Sequence, residues 1–227
     1  RDSSTSRGLG DVYKRQKNDS TVMEFKITRK NIRTNPVPYY GMVKDSIGYL
    51  ALSSFTENSA KDFKKAFIEL KQKGAKSLII DLRDNGGGSL SEAVDIVNLY
   101  VPKGQEIVVT KGKVRQAQGS YKTQNEPVDT QIPLAVLVNG ATASASEIVS
   151  GSLQDLDRAV VIGSRTFGKG LVQTIRPLPY NGTLKVTTSK YYIPSGRCIQ
   201  AIDYAKKNAD GSVARTPDSL TTVFHTA

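Results

Sequence analysis

The stretch Ser77-Leu-Ile-Ile-Asp-Leu-Arg-Asp-Asn-Gly-Gly-Gly-Ser-Leu90 decides how the chain is read. Ser77 to Leu82 is an apolar, β-branched run short enough for a buried strand, and three consecutive glycines end it. A second helix is expected from about Leu90 to Tyr100, with Ala93, Val97 and Tyr100 on one stripe and Pro102 as the stop. Upstream, Ile47 to Phe55 reads as a strand. A helix then follows, with Ser59 as cap, Asp62 completing a capping box, Phe63, Phe67 and Leu70 on one face, and Gly74 closing it.

Downstream the alternation repeats. Pro133 to Val138 reads as a buried strand, Asn139-Gly140 as a turn, Ser144 to Leu156 as a helix and Ala159 to Ile162 as another strand. The Gln- and Lys-rich stretch before Pro133 reads as an exposed hairpin or lid. The loop Gly163 to Gly170 leads into Val172–Ile175, an Asn181-Gly182 turn and Leu184–Tyr192, an antiparallel pattern. Strand-helix alternation followed by a β region predicts an α/β domain with a mixed sheet.

Composition narrows the functions. The 227 residues are 38% hydrophobic and 23% charged, which fits a globular protein of one domain or a domain with part of a second. No apolar run approaches the roughly 20 residues of a membrane helix, and no charged-then-apolar leader opens the chain, so an export signal would lie upstream. The net charge of +11 invites nucleic-acid binding, but the Lys and Arg are spread along the chain, so no nucleic-acid partner is expected. The single Cys198 excludes an internal disulfide or a cysteine-rich zinc site. His225 is the only histidine and lies at the C-terminal end, which argues against a Ser-His-Asp mechanism and a histidine-based metal centre.

Three loops carry chemistry. Asp81 to Ser89 joins a strand end to a helix start, where glycines let the backbone turn tightly and aim N–H groups at a ligand; a plain strand-to-helix turn reads equally well. Gly140-Ala-Thr-Ala-Ser-Ala-Ser-Glu-Ile148 occupies a second such junction. There a hydroxyl can stand free of the sheet while the next amide points into the same space; helix capping by Ser144 or Ser146, with Glu147 in the box, is the alternative. Gly163-Ser-Arg-Thr-Phe-Gly-Lys-Gly170 nearly spells a nucleotide-binding loop, but the chain continues as a strand and not as the required helix. Lys169, pinned between glycines, is then a candidate for partial desolvation, which favours the neutral amine; an ordinary surface lysine is the alternative. Together the loops supply a hydroxyl, a lysine able to act as base, and backbone donors for an oxyanion.

At this point the chain resembles the carboxy-terminal processing peptidases, also called tail-specific proteases, from about residue 38 to residue 204. The resemblance is carried by Gly48 to Phe55, Asp81 to Gly88, Ala143 to Ile148, Gln154-Asp155 with Arg158-Ala159, Thr166 to Gly170 with Gln173, and Ser195 to Gln200. It implies a Ser-Lys dyad in a crotonase-like β/α core, preceded by a PDZ domain that binds substrate C-termini. The nucleophile would be Ser144, the general base Lys169 and the residue orienting that base Gln173. The oxyanion donors would be the Ala145 amide and a glycine amide of the Gly86–Gly88 turn, with Gly87 and Gly88 the candidates. Protein or peptide substrates, no metal or organic cofactor, and a periplasmic or otherwise extracytoplasmic location are also implied. On this reading residues 1–16 are a tail, 17–36 the remnant of a PDZ domain, and 37–227 a peptidase core that stops short of the family's usual end. Thr142 and Cys198 depart from the serines usual at their positions. A catalytically silent peptide-binding scaffold of the same fold is the rival expectation.

Overall fold

A computed structural model describes residues 9–16, 19–28 and 34–215. By contact the chain divides into residues 1–35 and 36–227. In the first unit β1 (Leu9–Gln16) pairs antiparallel with β2 (Asp19–Thr28), so the expected tail contains a strand. The alternation of Met23, Phe25 and Ile27 suits a half-buried strand and falls on β2, where Phe25 stands opposite Val12 of β1. His225 and the end of the core beyond residue 215 lie outside the described residues.

The second unit is built on a five-stranded sheet in the order β3-β4-β5-β8-β9. β3 (Tyr39–Lys44) runs antiparallel to β4 (Ile47–Ala51), and β4, β5 (Ser77–Asp81), β8 (Leu134–Val138) and β9 (Val160–Gly163) are mutually parallel. A second sheet, antiparallel throughout, has the order β10-β11-β6-β7, from β6 (Glu106–Gly112), β7 (Gly119–Lys122), β10 (Leu171–Pro177) and β11 (Thr183–Tyr192). β12 (Ile202–Lys207) and β13 (Val213–Arg215) form a separate ribbon. The expected mixed sheet and antiparallel β region are both present.

Three helices cross between the parallel strands, and each buries one face. In α1 (Ser59–Gln72), Phe63, Phe67 and Leu70 are fully buried, and Gly74 ends the helix at φ 93°, a left-handed turn that costs glycine little. The cap differs from expectation. Asn58, at φ 68°, occupies the N-cap without a side-chain bond, and Glu92 on α2 (Leu90–Val97) accepts from the Asn58 and Ala60 N–H groups and from the Ser59 hydroxyl. A carboxylate from a neighbouring helix thus replaces the local box, placing negative charge at the positive helix end. α2 stops at Val97, before the expected Tyr100: Asn98 caps it with helical backbone, the Leu99 and Tyr100 N–H groups bond carbonyls only three residues back, and the Asn98 side-chain amide holds Val101 O and Asn125 O. The Tyr100 ring still packs against Phe63 and Phe67, with centroids 6.5 and 5.1 Å away.

The stretch expected as an exposed hairpin or lid does form a hairpin, β6 paired antiparallel with β7, but only its β7 arm is exposed. Ile107 and Val108 of β6 sit in the core and β6 pairs with β11, so a short apolar run was masked by its polar neighbours. α3 (Ala145–Asp155) matches the expected third helix to within one residue at each end.

Candidate active site

In parallel sheets the crevice for chemistry opens at the carboxyl ends of the strands. The glycine turn leaves the end of β5 and the Ser144 turn leaves the end of β8, its direct neighbour, so the fold itself brings two of the three loops together.

Asn85 knits them. Buried at 0% exposure, it donates from its side chain to Leu52 O (2.7 Å) and accepts the Gly87 N–H at Oδ1 (2.9 Å). Its carbonyl accepts the Ala143 N–H (3.0 Å) and the Ser146 hydroxyl (2.9 Å). Thr142 adds a second tie, donating from Oγ1 to Leu82 O at 2.8 Å. The approach is close enough to require glycine: a Cβ on Gly87, at φ 94°, would lie 2.6 Å from Ala143 O, 2.8 Å from Ala145 N and 2.8 Å from Ser144 Cβ. Gly88, at φ 148°, has Phe55 O 2.3 Å from the place of its missing Cβ, and the flanking bonds Phe55 N–H to Gly87 O and Ser89 N–H to Phe55 O stitch the turn to the chain after β4.

Ser144 precedes α3 with φ 60° and ψ −115°, a conformation that costs a non-glycine residue about 1–3 kcal/mol and is held only where the surroundings enforce it. It is half-buried. Ser146, the neighbouring hydroxyl, is fully buried and spent on Asn85. Among the described residues, the Ala145 N–H and the Gly88 N–H meet no protein acceptor, whereas the Gly87 N–H is given to Asn85.

The third loop is held by Glu147, which sequence reasoning treated only as a capping partner. Its carboxylate, 5% exposed, accepts four hydrogen bonds. Oε2 takes the Ser144 N–H (2.8 Å) and the Lys169 N–H (2.8 Å); Oε1 takes the Thr166 hydroxyl (2.8 Å) and the Gly168 N–H (2.6 Å). The glutamate therefore bridges the serine turn and the lysine loop, and the Phe167 N–H to Thr142 O bond (3.0 Å) reinforces the junction. The only advance signal was an acidic residue in the first turn of a helix otherwise buried.

Lys169 is exposed, the surface placement that was the alternative to partial desolvation. Gly168 and Gly170 are buried against Ala201 and Gln200, with Gly168 at φ 85°, and Lys169 between them is left outside. No hydrogen bond joins it to Ser144 among the described residues. Gln173 lies on β10 at a bulge between Val172 and Gln173, is exposed, and forms no hydrogen bond with Lys169. The structure thus brings Ser144, Ala145, Gly87 and Gly88 into one cluster and ties the Lys169 backbone to it, leaving Gln173 apart.

Two further groups surround the site. Asp81, at the end of β5, accepts from Tyr49 OH (2.5 Å) and from the Arg83 backbone, Nε and guanidinium. Burial alone would raise its carboxyl, but the bonds from Arg83 and Tyr49 outweigh this and hold it below its ordinary value. A cavity of about 480 Å³ lies beside the lysine loop, bordered by Glu147, Thr166, Gly168, Gly151, Ile193 and Ala201; neither Ser144 nor Lys169 lines it. No cluster of potential metal ligands and no helix long and apolar enough to cross a membrane occurs among the described residues.

Residues 46–206 match Peptidase family S41. The chain is 42% identical over 184 residues to the carboxy-terminal-processing protease of Bartonella bacilliformis, covering 79% of this chain and 42% of that protein. It is 32% identical over 215 residues to the chloroplastic C-terminal processing peptidase of Tetradesmus obliquus, covering 89% and 45%. Among solved structures it is similar to the photosystem II D1 C-terminal processing protease, with a TM-score of 0.66 and 32% identity over 79% of this chain and 49% of that one. The chain spans less than half the length of these relatives. With a family match across most of its core, relatives above 30% identity and the same fold, the chain belongs to peptidase family S41.

Proposed function

We propose that this chain carries the catalytic centre of a serine endopeptidase that cleaves protein or peptide substrates near their C-termini. The observation that supports this best is the strained backbone of Ser144 at the start of α3, beside two amides with no protein acceptor. Ser144 Oγ attacks the scissile carbonyl carbon while the Lys169 amine takes its proton, and Gln173 orients that amine. The oxyanion accepts from the Ala145 N–H and from Gly88, since Gly87 already serves Asn85. Each such donor is worth about 3 kcal/mol. The intermediate collapses as Lys169 returns the proton to the leaving amine; water, deprotonated by the same lysine, then hydrolyses the ester. Dyad bonds that are open in a free enzyme commonly close only with substrate bound.

The test is peptidase assay of the full-length gene product on a peptide with an apolar C-terminus, comparing wild type, Ser144→Ala and Lys169→Arg. Arginine keeps the charge but cannot surrender its proton. Both variants should be nearly inactive; substantial turnover in the arginine variant would remove Lys169 from the mechanism. The exposure of Lys169 favours a second reading, a silent peptide-binding scaffold. A serine-directed phosphonate probe separates them, because only an activated Ser144 is labelled. We further read residues 17–36 as part of a PDZ domain and the protein as extracytoplasmic. Loss of C-terminal-peptide binding on deleting that segment, and cell fractionation, test these two points.

A further inference from the structure

The segment Ser195–Ala201 after β11 has no part in the chemistry proposed above, yet it touches both glycines that flank Lys169. Gln200 Oε1 accepts the Gly170 N–H at 2.9 Å, and the Ala201 N–H donates to Gly168 O at 3.0 Å. The contact is backbone-tight: a Cβ on Gly168 would lie 2.3 Å from Ala201 Cβ, and one on Gly170 2.3 Å from Gln200 N. Gln200 is itself fixed, since its Nε2 donates to Ile202 O at 3.0 Å.

The other end of the segment is anchored to α3. The fully buried Asp155 carboxylate accepts the Ser195 N–H at 3.0 Å and pairs with the Arg197 guanidinium, which also donates to Gln154. Between these anchors, Gln200 and Ala201 border the 480 Å³ cavity and so lack close packing on that side. Hydrogen bonds, more than side-chain packing, therefore fix where they stand.

Lys169 has glycine on both sides, and glycine imposes little restriction on φ and ψ. Its backbone is gripped on the Gly168 flank by Glu147, through the Gly168 and Lys169 N–H groups, and by Ala201, and on the Gly170 flank by Gln200. We propose that Gln200 is a positioning residue for Lys169, acting through Gly170 to fix the course of the lysine loop relative to Ser144. This rests on the reading of Lys169 as the general base.

The test uses the full-length gene product and three variants. Gln200→Met keeps the length but makes neither hydrogen bond; Gln200→Glu keeps the acceptor for Gly170 but puts an acceptor oxygen where the donor to Ile202 stood. A single lost hydrogen bond of ordinary strength predicts about a tenfold fall in kcat for Gln200→Met. KM should hold, the pH midpoint of kcat/KM should move, Ser144 phosphonylation should slow in proportion, and the melting temperature should stay close to wild type. Gln200→Glu should recover most of the turnover.

Lys169→Arg separates the failures. If it is inactive while Gln200→Met keeps wild-type kcat and pH midpoint, the dyad stands and the positioning role is refuted. The role is equally refuted if Gln200→Met loses activity only in proportion to its folded fraction, or if the glutamate variant falls as far as the methionine one. Should Lys169→Arg remain active, the dyad fails and the proposal falls with it.

Discussion

Glu147→Gln is the sharpest perturbation of the site, because it changes one atom at the point where two loops meet. The carboxylate presents two oxygens to four donors. Glutamine offers one oxygen and an NH₂ group that can only donate. Its best arrangement keeps the oxygen on the Ser144 and Lys169 N–H groups and turns the amide nitrogen to the Thr166 hydroxyl, which can rotate to accept. The Gly168 N–H is then buried facing another donor. An unsatisfied buried donor costs about 1–3 kcal/mol, and converting two charge-assisted bonds to neutral ones costs about 1 kcal/mol each. A loss of about 3 kcal/mol is the low end of that range, and for a unit of this size it lowers the melting temperature by about 6–12 °C. Turnover should suffer independently, since misplacing a catalytic group by about 1 Å can cost about 100-fold. Thermal melts of both proteins, followed by kcat at a temperature where both are folded, measure the two effects. A glutamine variant that melts within about 2 °C of wild type and turns over at the wild-type rate would refute the bridging role.

Three further predictions rest on other parts of the molecule. Ser144→Gly should abolish turnover yet raise stability by about 1 kcal/mol, because glycine relieves the positive-φ strain at some cost in chain entropy; a destabilised glycine variant would contradict the strain argument. Tyr100 has the one buried side-chain polar atom without a partner among the described residues, and Tyr100→Phe should gain about 1 kcal/mol in urea unfolding, a loss there indicating a bond the ring oxygen makes. Asp81 has a depressed carboxyl in the folded state, so its contribution is complete above the ordinary value near 3.9 and disappears as pH falls through the lower folded one. The stability gap between wild type and Asp81→Asn should therefore narrow between pH 5 and the acid limit, and a gap constant with pH would exclude the Arg83 and Tyr49 bonds as its source.

The parallel core was legible because its signals are local. Ser77–Leu82 and Pro133–Val138 are apolar runs bounded by turn residues, and the three crossing helices carry their apolar faces at helical spacing. What escaped depended on partners remote in sequence. Glu92 caps a helix more than thirty residues away, β6 is a strand because β11 lies beside it, and Glu147 is a bridge only when the loop of Gly168 is folded against it. The Ser144 and glycine turns stood out by residue type as strand-turn-helix junctions, but residue type alone left helix capping and a plain turn open, and their roles came from the family resemblance. The exposure of Lys169 was not legible, because glycine neighbours allow either direction and the backbone bonds that choose between them come from distant residues.

The pairing of β5 with β8 has a mechanical consequence. Asp81 stands opposite Leu137 in a parallel ladder, so the two turns that follow are launched from rails whose separation is fixed at about 4.8 Å by backbone hydrogen bonds. Side chains on either strand can be exchanged for others of like volume without altering that gauge, and sequence drift in the sheet leaves the spacing between Ser144 and the glycine turn untouched. Adding or removing one residue between Asp81 and Gly87, or between Leu137 and Ser144, would instead move one turn along its rail by about 3.3 Å relative to the other, more than the whole length of a hydrogen bond. The site should thus tolerate substitution in its foundations and almost no change of length in its loops.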